Sequence, residues 1–459
     1  MSRKEILFGS TSLVAALAAF HGLPWCVFLY PGLLERLLEG RKGWGRIGLA
    51  AGWGLVFSLF FYHWVGSYGL LAWTALGLAR GLPWALYPVP ALLWERRLSR
   101  SEKAQEMSLW ARALMAALGL ALVSQVLLLG ITGVDWETPA APLTAWPSLL
   151  FPLPWVGLVG IALAVGAIST LVLRLRFAPS GVGLLCLLLW AGAAQLFPRS
   201  PRGDLALKVA LVQTGFSQDE KWDSDKRANG VDRLLGSTAE AAEAGAELVI
   251  WPETAWPYRG MRRRVTNTRK IGKTARKSQV DVLASSVEVV PDAPQEQWLN
   301  SVSLVLSSGK FGTHYEKRRL APFAEYLPLP QSWQPSLRSV APFSWISRYV
   351  PGTRDAVFET SGRQKFGVMI CYESMTPSMA AALAPQVDFL VVVTNDAPFR
   401  HQQPNEAHFR SAILRAVETQ RPVLQAANTG VTGAISSNGT VLQRTPVGFS
   451  GPTVQYISL

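Results

Sequence analysis

Four stretches in the first 200 residues contain no Lys, Arg, Asp or Glu: 47–79, 113–134, 138–173 and 177–198. Each can hold a helix of about 20 residues, the length needed to cross the hydrocarbon of a bilayer. A soluble core has no use for so many uninterrupted apolar runs, so this part of the chain reads as membrane. Shorter apolar stretches at 6–20, 24–34 and 81–94 are ambiguous one by one. The first looks like a signal peptide, with Arg3 and Lys4 before an apolar core, but the further spans behind it make it a retained helix. The reading is about seven helices, near 6–20, 24–38, 48–66, 70–94, 107–132, 153–173 and 181–197.

Charge supplies the orientation. Arg3 and Lys4, then Arg36, Arg41, Lys42 and Arg46, then Arg96, Arg97, Arg100 and Lys103, then Arg174 and Arg176 fall at the N-terminus and in alternate connections. Basic residues beside spans stay on the cytoplasmic side, which places the N-terminus inside and everything after residue 200 outside the cytoplasmic membrane. Arg80 falls inside the fourth span, and the loop after Val134 holds Asp135 and Glu137 but no cation. With so few ionisable groups in the spans, an ion-coupled transporter is disfavoured and an anchor is expected. Trp25, Tyr62, Trp64, Tyr68, Trp84 and Trp155 are expected to line the interfaces.

The formal charge of +13 would suit nucleic acid, yet zinc-finger spacing, RNP-type aromatics and a convincing helix-turn-helix are all missing from the sequence, so nucleic acid is not an expected partner. Cys26, Cys186 and Cys371 are too few for a disulfide framework, and the first two sit in apolar runs. No cofactor is implied.

After residue 200 the pattern becomes that of an α/β domain, 201–459. Strands are predicted at 208–213, 247–251, 281–290, 301–306, 365–370 and 388–394, most of them nearly continuous apolar runs. Helices are predicted at 223–244, 262–277 and 404–420, with Asp223 or Ser224 as a cap, Gly245 as a stop, and a hairpin turn at Asn438-Gly439. Reactive residue types stand just beyond strands: Glu253 after 247–251, Lys317 after the strand-like 311–315, and Cys371 at the end of 365–370. Strand ends are where layered α/β folds build their sites. A cysteine at a strand-to-helix junction is expected to gain thiolate character from N–H groups and the helix dipole. Singly, each of the three has a plain structural reading, whereas together they make a nucleophile, a base and a cation. His314, His401 and His408 match no metal-ligand spacing and offer no evident partner for Cys371, so no metal is assigned.

At these residues the chain resembles the nitrilase, or carbon-nitrogen hydrolase, superfamily and its Glu-Lys-Cys triad. The matching motifs are Ile250-Trp251-Pro252-Glu253-Thr254-Ala255, Tyr315-Glu316-Lys317-Arg318-Arg319-Leu320 and Ile370-Cys371-Tyr372-Glu373. The membrane-anchored branch that it resembles is the apolipoprotein N-acyltransferases. That likeness extends to Pro322-Phe323-Ala324-Glu325-Tyr326-Leu327-Pro328, Asn395-Asp396, residues 428–432 and, in the membrane part, Gly22-Leu23-Pro24-Trp25 and 52–69.

The resemblance implies a polytopic α-helical membrane domain, 1–200, joined to a nitrilase-like α/β domain built as a four-layer α-β-β-α sandwich. It also implies a bacterial inner-membrane enzyme. An acyl chain would pass from a phospholipid, expected to be phosphatidylethanolamine, to the N-terminal amine of diacylglyceryl-cysteine in an apolipoprotein. Cys371 would carry the chain as a thioester, Glu253 would move the proton and Lys317 would stabilise the oxyanion. Glu325, Glu373, Tyr372 and Asn395 would support the site, although plain structural hydrogen bonding accounts for the two glutamates equally well. Trp222, Trp256 and Tyr326 would bind substrate, with surface packing as the alternative for Trp222. Residues 254–264 and the loop 326–349 interleave basic and aromatic side chains and are expected to face lipid at the entrance, the loop moving. The branch ordinarily returns to the membrane through a last helix, while here no apolar span follows Val393, so the reading is a shortened chain or an anchor of seven helices. Where the branch carries a tryptophan after the Asn-Asp pair, this chain has Pro398. Two other readings stay open: an anchored amidase or N-acyltransferase with a different acceptor, and a catalytically silent lipoprotein-binding scaffold.

Overall fold

The computed structural model describes residues 3–98, 107–174, 188–193, 207–217, 223, 226–262, 264–291, 293, 296–330, 332–334, 348–399, 401–449 and 451–459. Two compact units emerge, Met1–Pro198 and Arg199–Leu459.

The first unit is helical: α1 Arg3–Phe20, α2 Tyr30–Leu38, α3 Gly43–Phe61, α4 Leu70–Gly81, α5 Val89–Leu98, α6 Leu109–Leu129, α7 Ala140–Leu143 and α8 Leu153–Arg174. Among the described residues, three helices, Gly43–Phe61, Leu109–Leu129 and Leu153–Leu173, are long and apolar enough to cross a membrane. Most of the expected helix at 181–197 lies outside the described residues. The stretch 70–94 is not one helix. It breaks into α4, a 3₁₀ turn at Leu82–Leu86 and α5, because Pro83, Pro88 and Pro90 each remove an N–H from the ladder. Trp84, expected at an interface, is buried instead and packs edge-on against Trp53 with ring centres 4.7 Å apart.

Small residues set the helix spacing here. A Cβ added to Gly54 would lie 2.3 Å from the Trp84 Cβ, and one on Gly81 would lie 2.6 Å from the Leu55 Cα, so the backbones touch as glycine alone permits. Arg80 is fully buried, with Nη2 3.1 Å from Glu137 Oε2 and Nη1 donating to the carbonyls of Leu127 (2.9 Å) and Thr132 (3.1 Å). Arg80 therefore ties the end of α4 to the last turns of α6 and the segment after it.

The second unit contains two six-stranded sheets. Strands β1 Lys208–Gln213, β2 Leu248–Ile250, β3 Asp281–Val289, β4 Trp298–Val305, β5 Phe311–Glu316 and β12 Thr453–Ser458 form one, in the order β12-β1-β2-β3-β4-β5. Strands β6 Val357–Glu359, β7 Lys365–Ile370, β8 Phe389–Thr394, β9 Val423–Ala427, β10 Gly433–Ile435 and β11 Val441–Arg444 form the other, in the order β11-β10-β9-β8-β7-β6. Strands β1–β3 and β7–β9 run parallel and the rest antiparallel.

The period of two sorts the side chains into layers. Val209, Leu211, Leu248 and Ile250 meet Phe366, Val368, Ile370, Val391 and Val393 in a core between the sheets. The alternate residues Ala210, Val212, Val249 and Val282 pack on α9 Arg227–Glu243 and α10 Val265–Ser278 through Val231, Leu234, Ile271 and Ala275. On the far side, Met369, Leu390 and Val392 pack on α11 Pro377–Leu383 and α12 Gln402–Thr419 through Ala380, Leu383, Phe409 and Ala412. The result is the expected four-layer α-β-β-α sandwich, with strands buried on both faces, which is why they read as unbroken apolar runs. Asp281 stitches the sheets together: Oδ1 accepts from the Ser307 N–H (2.7 Å) and the Ser361 hydroxyl (2.6 Å), and Oδ2 from the Ser361 N–H (2.6 Å).

Replacing Gly54 with Val forces the α3–Trp84 contact apart. The expected cost is about 1–3 kcal/mol, read as a lower thermal midpoint of the detergent-solubilised protein, whereas the same change at the open Gly52 leaves the midpoint in place.

Candidate active site

Chain continuing from the ends of β2, β5, β7, β8 and β9 carries the polar groups to one place. Beyond β2, the Trp251 N–H still donates to the Leu283 carbonyl (3.1 Å), while Ser285 Oγ donates to the Pro252 carbonyl and accepts from the Ala255 N–H (2.9 Å). These bonds pin the turn on which Glu253 sits, 6% exposed. Its two carboxylate oxygens are held separately. Oε1 accepts from Asn300 Nδ2 at 2.6 Å, and Oε2 from the Asn395 N–H at 2.7 Å.

Lys317, one residue past β5, is 1% exposed. Its Nζ lies 2.8 Å from Glu325 Oε2 and 3.5 Å from Glu253 Oε1, and Asn300 spans the two carboxylates by also donating to Glu325 Oε1 (3.2 Å). Glu325 is itself clamped by the Ala321 N–H on Oε2 (2.7 Å). Burial works against the ammonium, but Glu325 and Glu253 more than compensate and hold it well above the ordinary lysine range.

Cys371 directly follows β7 with φ +52° and opens a 3₁₀ turn, Cys371–Met375, so α11 starts only at Pro377. The expected thiolate is not favoured here. Burial and then the Glu253 carboxylate push the thiol well above its ordinary range, Asp396 adds to this, and Lys317 offsets only part. Burial is the leading cause, and the 3₁₀ turn between Cys371 and Pro377 sets the helix N-terminus away from the cysteine.

Glu373 is fully buried and joins the second motif to the third. Oε1 accepts from the Tyr315 hydroxyl (2.7 Å) and the N–H groups of Arg318 (2.7 Å) and Arg319 (3.0 Å), and Oε2 from the Ile370 N–H (2.8 Å). Four donors thus fasten the strand end carrying Cys371 to the loop carrying Lys317. Asn395 accepts through Oδ1 from Asn428 Nδ2 (2.8 Å), and Asn428 in turn bonds the Phe216 carbonyl (2.8 Å) and N–H (3.0 Å).

Of the other residues singled out in the sequence, Tyr372 is buried with the Arg319 guanidinium 5.6 Å over its ring. Tyr326 is partly buried on the turn that presents Glu325, its carbonyl accepting from the Phe323 N–H (2.8 Å). Trp256 is 1% exposed and stacks on Trp251 in the core beneath the helices. That makes it a packing residue with no free face for substrate. Trp222 lies outside the described residues, as does most of the loop 326–349. Asn300, Tyr315 and His408 went unrecognised as site residues in the sequence. The one available signal for Asn300 was an amide set in the otherwise apolar and hydroxylated run of β4. Donor atoms of Cys371, Asp396 and His408 lie within 4.8 Å of one another, the one such trio among the described residues. Both ring nitrogens of His408 already face hydrogen-bond partners, so the trio reads as a hydrogen-bonded network.

Residues 208–451 match the family model described as carbon-nitrogen hydrolase. An apolipoprotein N-acyltransferase of Pseudomonas paraeruginosa is 30% identical over 460 residues, 94% of this chain and 85% of that protein. An apolipoprotein N-acyltransferase of Brucella melitensis is 29% identical over 446 residues, 92% of this chain and 82% of that one. Among solved structures, an amidase from Nesterenkonia sp. is 18% identical and aligns with a TM-score of 0.40 over 56% of this chain and 91% of that one.

A thiol held up by a carboxylate has a testable pH profile. Alkylation of Cys371 by iodoacetamide is expected to rise only above the ordinary thiol range, and Glu253→Gln, by removing the negative neighbour, is expected to shift that rise to lower pH. An unshifted profile in the variant refutes the electrostatic account.

Proposed function

Because the chain belongs to the carbon-nitrogen hydrolase family and, within it, to the apolipoprotein N-acyltransferases, we propose that it moves an acyl chain from a phospholipid, through a thioester on Cys371, to the N-terminal amine of diacylglyceryl-cysteine in apolipoproteins. The observation that carries this reading is the convergence of Glu253, Lys317 and Cys371, with the base fixed through both oxygens and the ammonium buried beside it.

The chemistry follows from the protonation states. In the free enzyme the thiol keeps its proton, so attack on the ester carbonyl is coupled to proton transfer from Sγ to the Glu253 carboxylate. Lys317 meets the oxyanion that develops on the former carbonyl oxygen. Its charge is already desolvated and balanced, so little reorganisation accompanies the step. Collapse breaks the ester C–O bond, and Glu253 returns its proton to the departing lysophospholipid alcohol. The incoming amine then attacks the thioester and loses a proton to Glu253, and Cys371 recovers it as the amide forms. Glu325 and Asn300 keep the lysine and the base apart but in contact, and Glu373 keeps the lysine loop in register with the nucleophile.

For the lipid, Tyr326 and the exposed Phe323, on the turn that carries Glu325, are assigned to an aromatic approach, and Trp222 is assigned to substrate binding. Phe323 stands at φ +61°, a strained conformation for a phenylalanine, on the turn that Glu325 closes. The acyl donor is assigned as a phospholipid such as phosphatidylethanolamine. The protein is assigned to the bacterial inner membrane with residues 1–200 as a seven-helix anchor, the N-terminus cytoplasmic and residues 201–459 on the extracytoplasmic side. That orientation rests on the twelve basic residues of the alternate connections.

Incubation with phosphatidylethanolamine is expected to add one acyl chain to the intact mass, absent in Cys371→Ala and discharged by a diacylglyceryl-cysteine peptide. Release of free fatty acid in place of acyl peptide would make the protein a hydrolase and sink the transferase reading. Lys317→Ala is expected to slow adduct formation by about 10²–10³-fold, and Glu325→Gln by less, since it removes a partner of the cation and not the cation.

A further inference from the structure

Next to Cys371 lies a second buried acid–base pair, His408 and Asp396, both fully inaccessible to solvent, which the acyl-transfer steps leave unused. The backbone of the cysteine is at φ +52°, the left-handed region, where a residue with a Cβ is strained and must be held by its surroundings. The hold is at its carbonyl oxygen, which accepts from Ser374 Oγ at 2.9 Å and faces His408 Nε2 at 3.2 Å, with Nε2 also 3.0 Å from Ser374 Oγ. The opposite ring nitrogen, Nδ1, faces Asp396 Oδ1 at 2.9 Å, and the same oxygen accepts from Thr394 Oγ1 at 2.8 Å.

With the Ser374 hydroxyl donating to the Cys371 carbonyl, the hydroxyl oxygen and that carbonyl are both acceptors for Nε2, and Asp396 is the acceptor for Nδ1, an arrangement that a histidine donating from both nitrogens satisfies. Burial opposes the charge this creates, but Asp396 outweighs it and pushes His408 above the ordinary histidine range. The other titratable groups facing the ring are Cys371 and Glu253, and Arg415, two turns along α12, secures the same turn by donating Nη1 to the Ser374 carbonyl at 3.1 Å.

We propose that His408, seated on Asp396, is a positioning residue for Cys371: its Nε2–H holds the cysteine carbonyl, and with it the left-handed backbone that sets the thiol beside Glu253 and Lys317. The relevance to catalysis rests on the nucleophile role given to Cys371 above, while the positioning itself can be read without any acyl donor. The device also places a proton donor against the backbone of the nucleophile and not against its sulfur. That separates it from a cysteine–histidine pair in which the imidazole takes the thiol proton.

The test uses the full-length protein in detergent micelles, as wild type, His408→Ala and His408→Gln, the glutamine retaining a neutral N–H donor. Two rates are measured: alkylation of Cys371 by iodoacetamide, located by peptide mapping, and kcat and KM for N-acylation of a diacylglyceryl-cysteine peptide. The alanine variant is expected to lose about tenfold in alkylation rate and in kcat with KM unchanged, the scale of one strained backbone conformation released. The glutamine variant is expected to recover most of the loss. Wild-type alkylation by the alanine variant overturns the proposal. So does a glutamine variant that keeps the wild-type thermal midpoint yet alkylates as slowly as alanine, because a restored donor then fails to restore the nucleophile. Slow alkylation in alanine, rescued by glutamine, in a protein that never acylates the peptide supports the positioning role and refutes the proposed transfer.

Discussion

A lysine ammonium that is 1% exposed is tolerable only because two carboxylates converge on it, Glu325 at 2.8 Å and Glu253 at 3.5 Å. Removing one partner of such a buried pair typically costs about 3–5 kcal/mol, because the charge left behind has lost its water as well. Much of the surrounding structure follows from keeping this cluster intact. Asn300 donates to both glutamates, its carbonyl receives the Lys317 N–H at 2.8 Å, and the Ala321 N–H closes the turn on Glu325. The lysine, the base and the spacer are thus held in one hydrogen-bonded unit in which each group needs the others.

The cysteine stands at the edge of that unit, and its chemistry is set by the excess of negative charge. Burial and the Glu253 and Asp396 carboxylates hold the thiol protonated against the pull of Lys317. On the proposed mechanism such a site waits, the nucleophile being made only when an electrophile arrives and the proton moves to Glu253. In a membrane enzyme whose proposed intermediate is a thioester exposed to competing water, a nucleophile that is inert at rest suits the task better than a standing thiolate. The same economy appears in Glu373, which is no part of the chemistry but uses four donors to keep the lysine loop and the cysteine strand in register.

Much of this was legible in the amino-acid order because the relevant signals are local. Runs without charge mark helices that meet lipid. Strands such as Lys208–Gln213 and Lys365–Ile370 were placed residue for residue, because a strand covered on both faces is apolar at every position. Strand Val423–Ala427 escaped, since Val-Leu-Gln-Ala-Ala carries a glutamine and two alanines with little strand preference. Its place is fixed by parallel pairing with β8. The break after α4 was missed for the opposite reason: hydropathy over 70–94 is continuous, and only the prolines interrupt the ladder.

The sequence by itself determined which half is apolar, where most of the buried strands run, and which three side chains of opposing chemistry end up beyond strand ends, because each of these depends on residue type and short spacing. Only the tertiary structure decided how those groups are tuned. Asn300 reaches Glu253 across 47 positions and Asn395 reaches it across 142, so no pattern along the chain could reveal that the base is held at both oxygens. Trp256 next to a catalytic motif looked like a substrate contact and is a core residue, stacked on Trp251. Cys371 looked like a thiolate at a helix start, yet burial and carboxylates brought in from beyond other strands push its thiol above the ordinary range. Electrostatic environment is a sum over neighbours in space, and those neighbours are assigned by the fold.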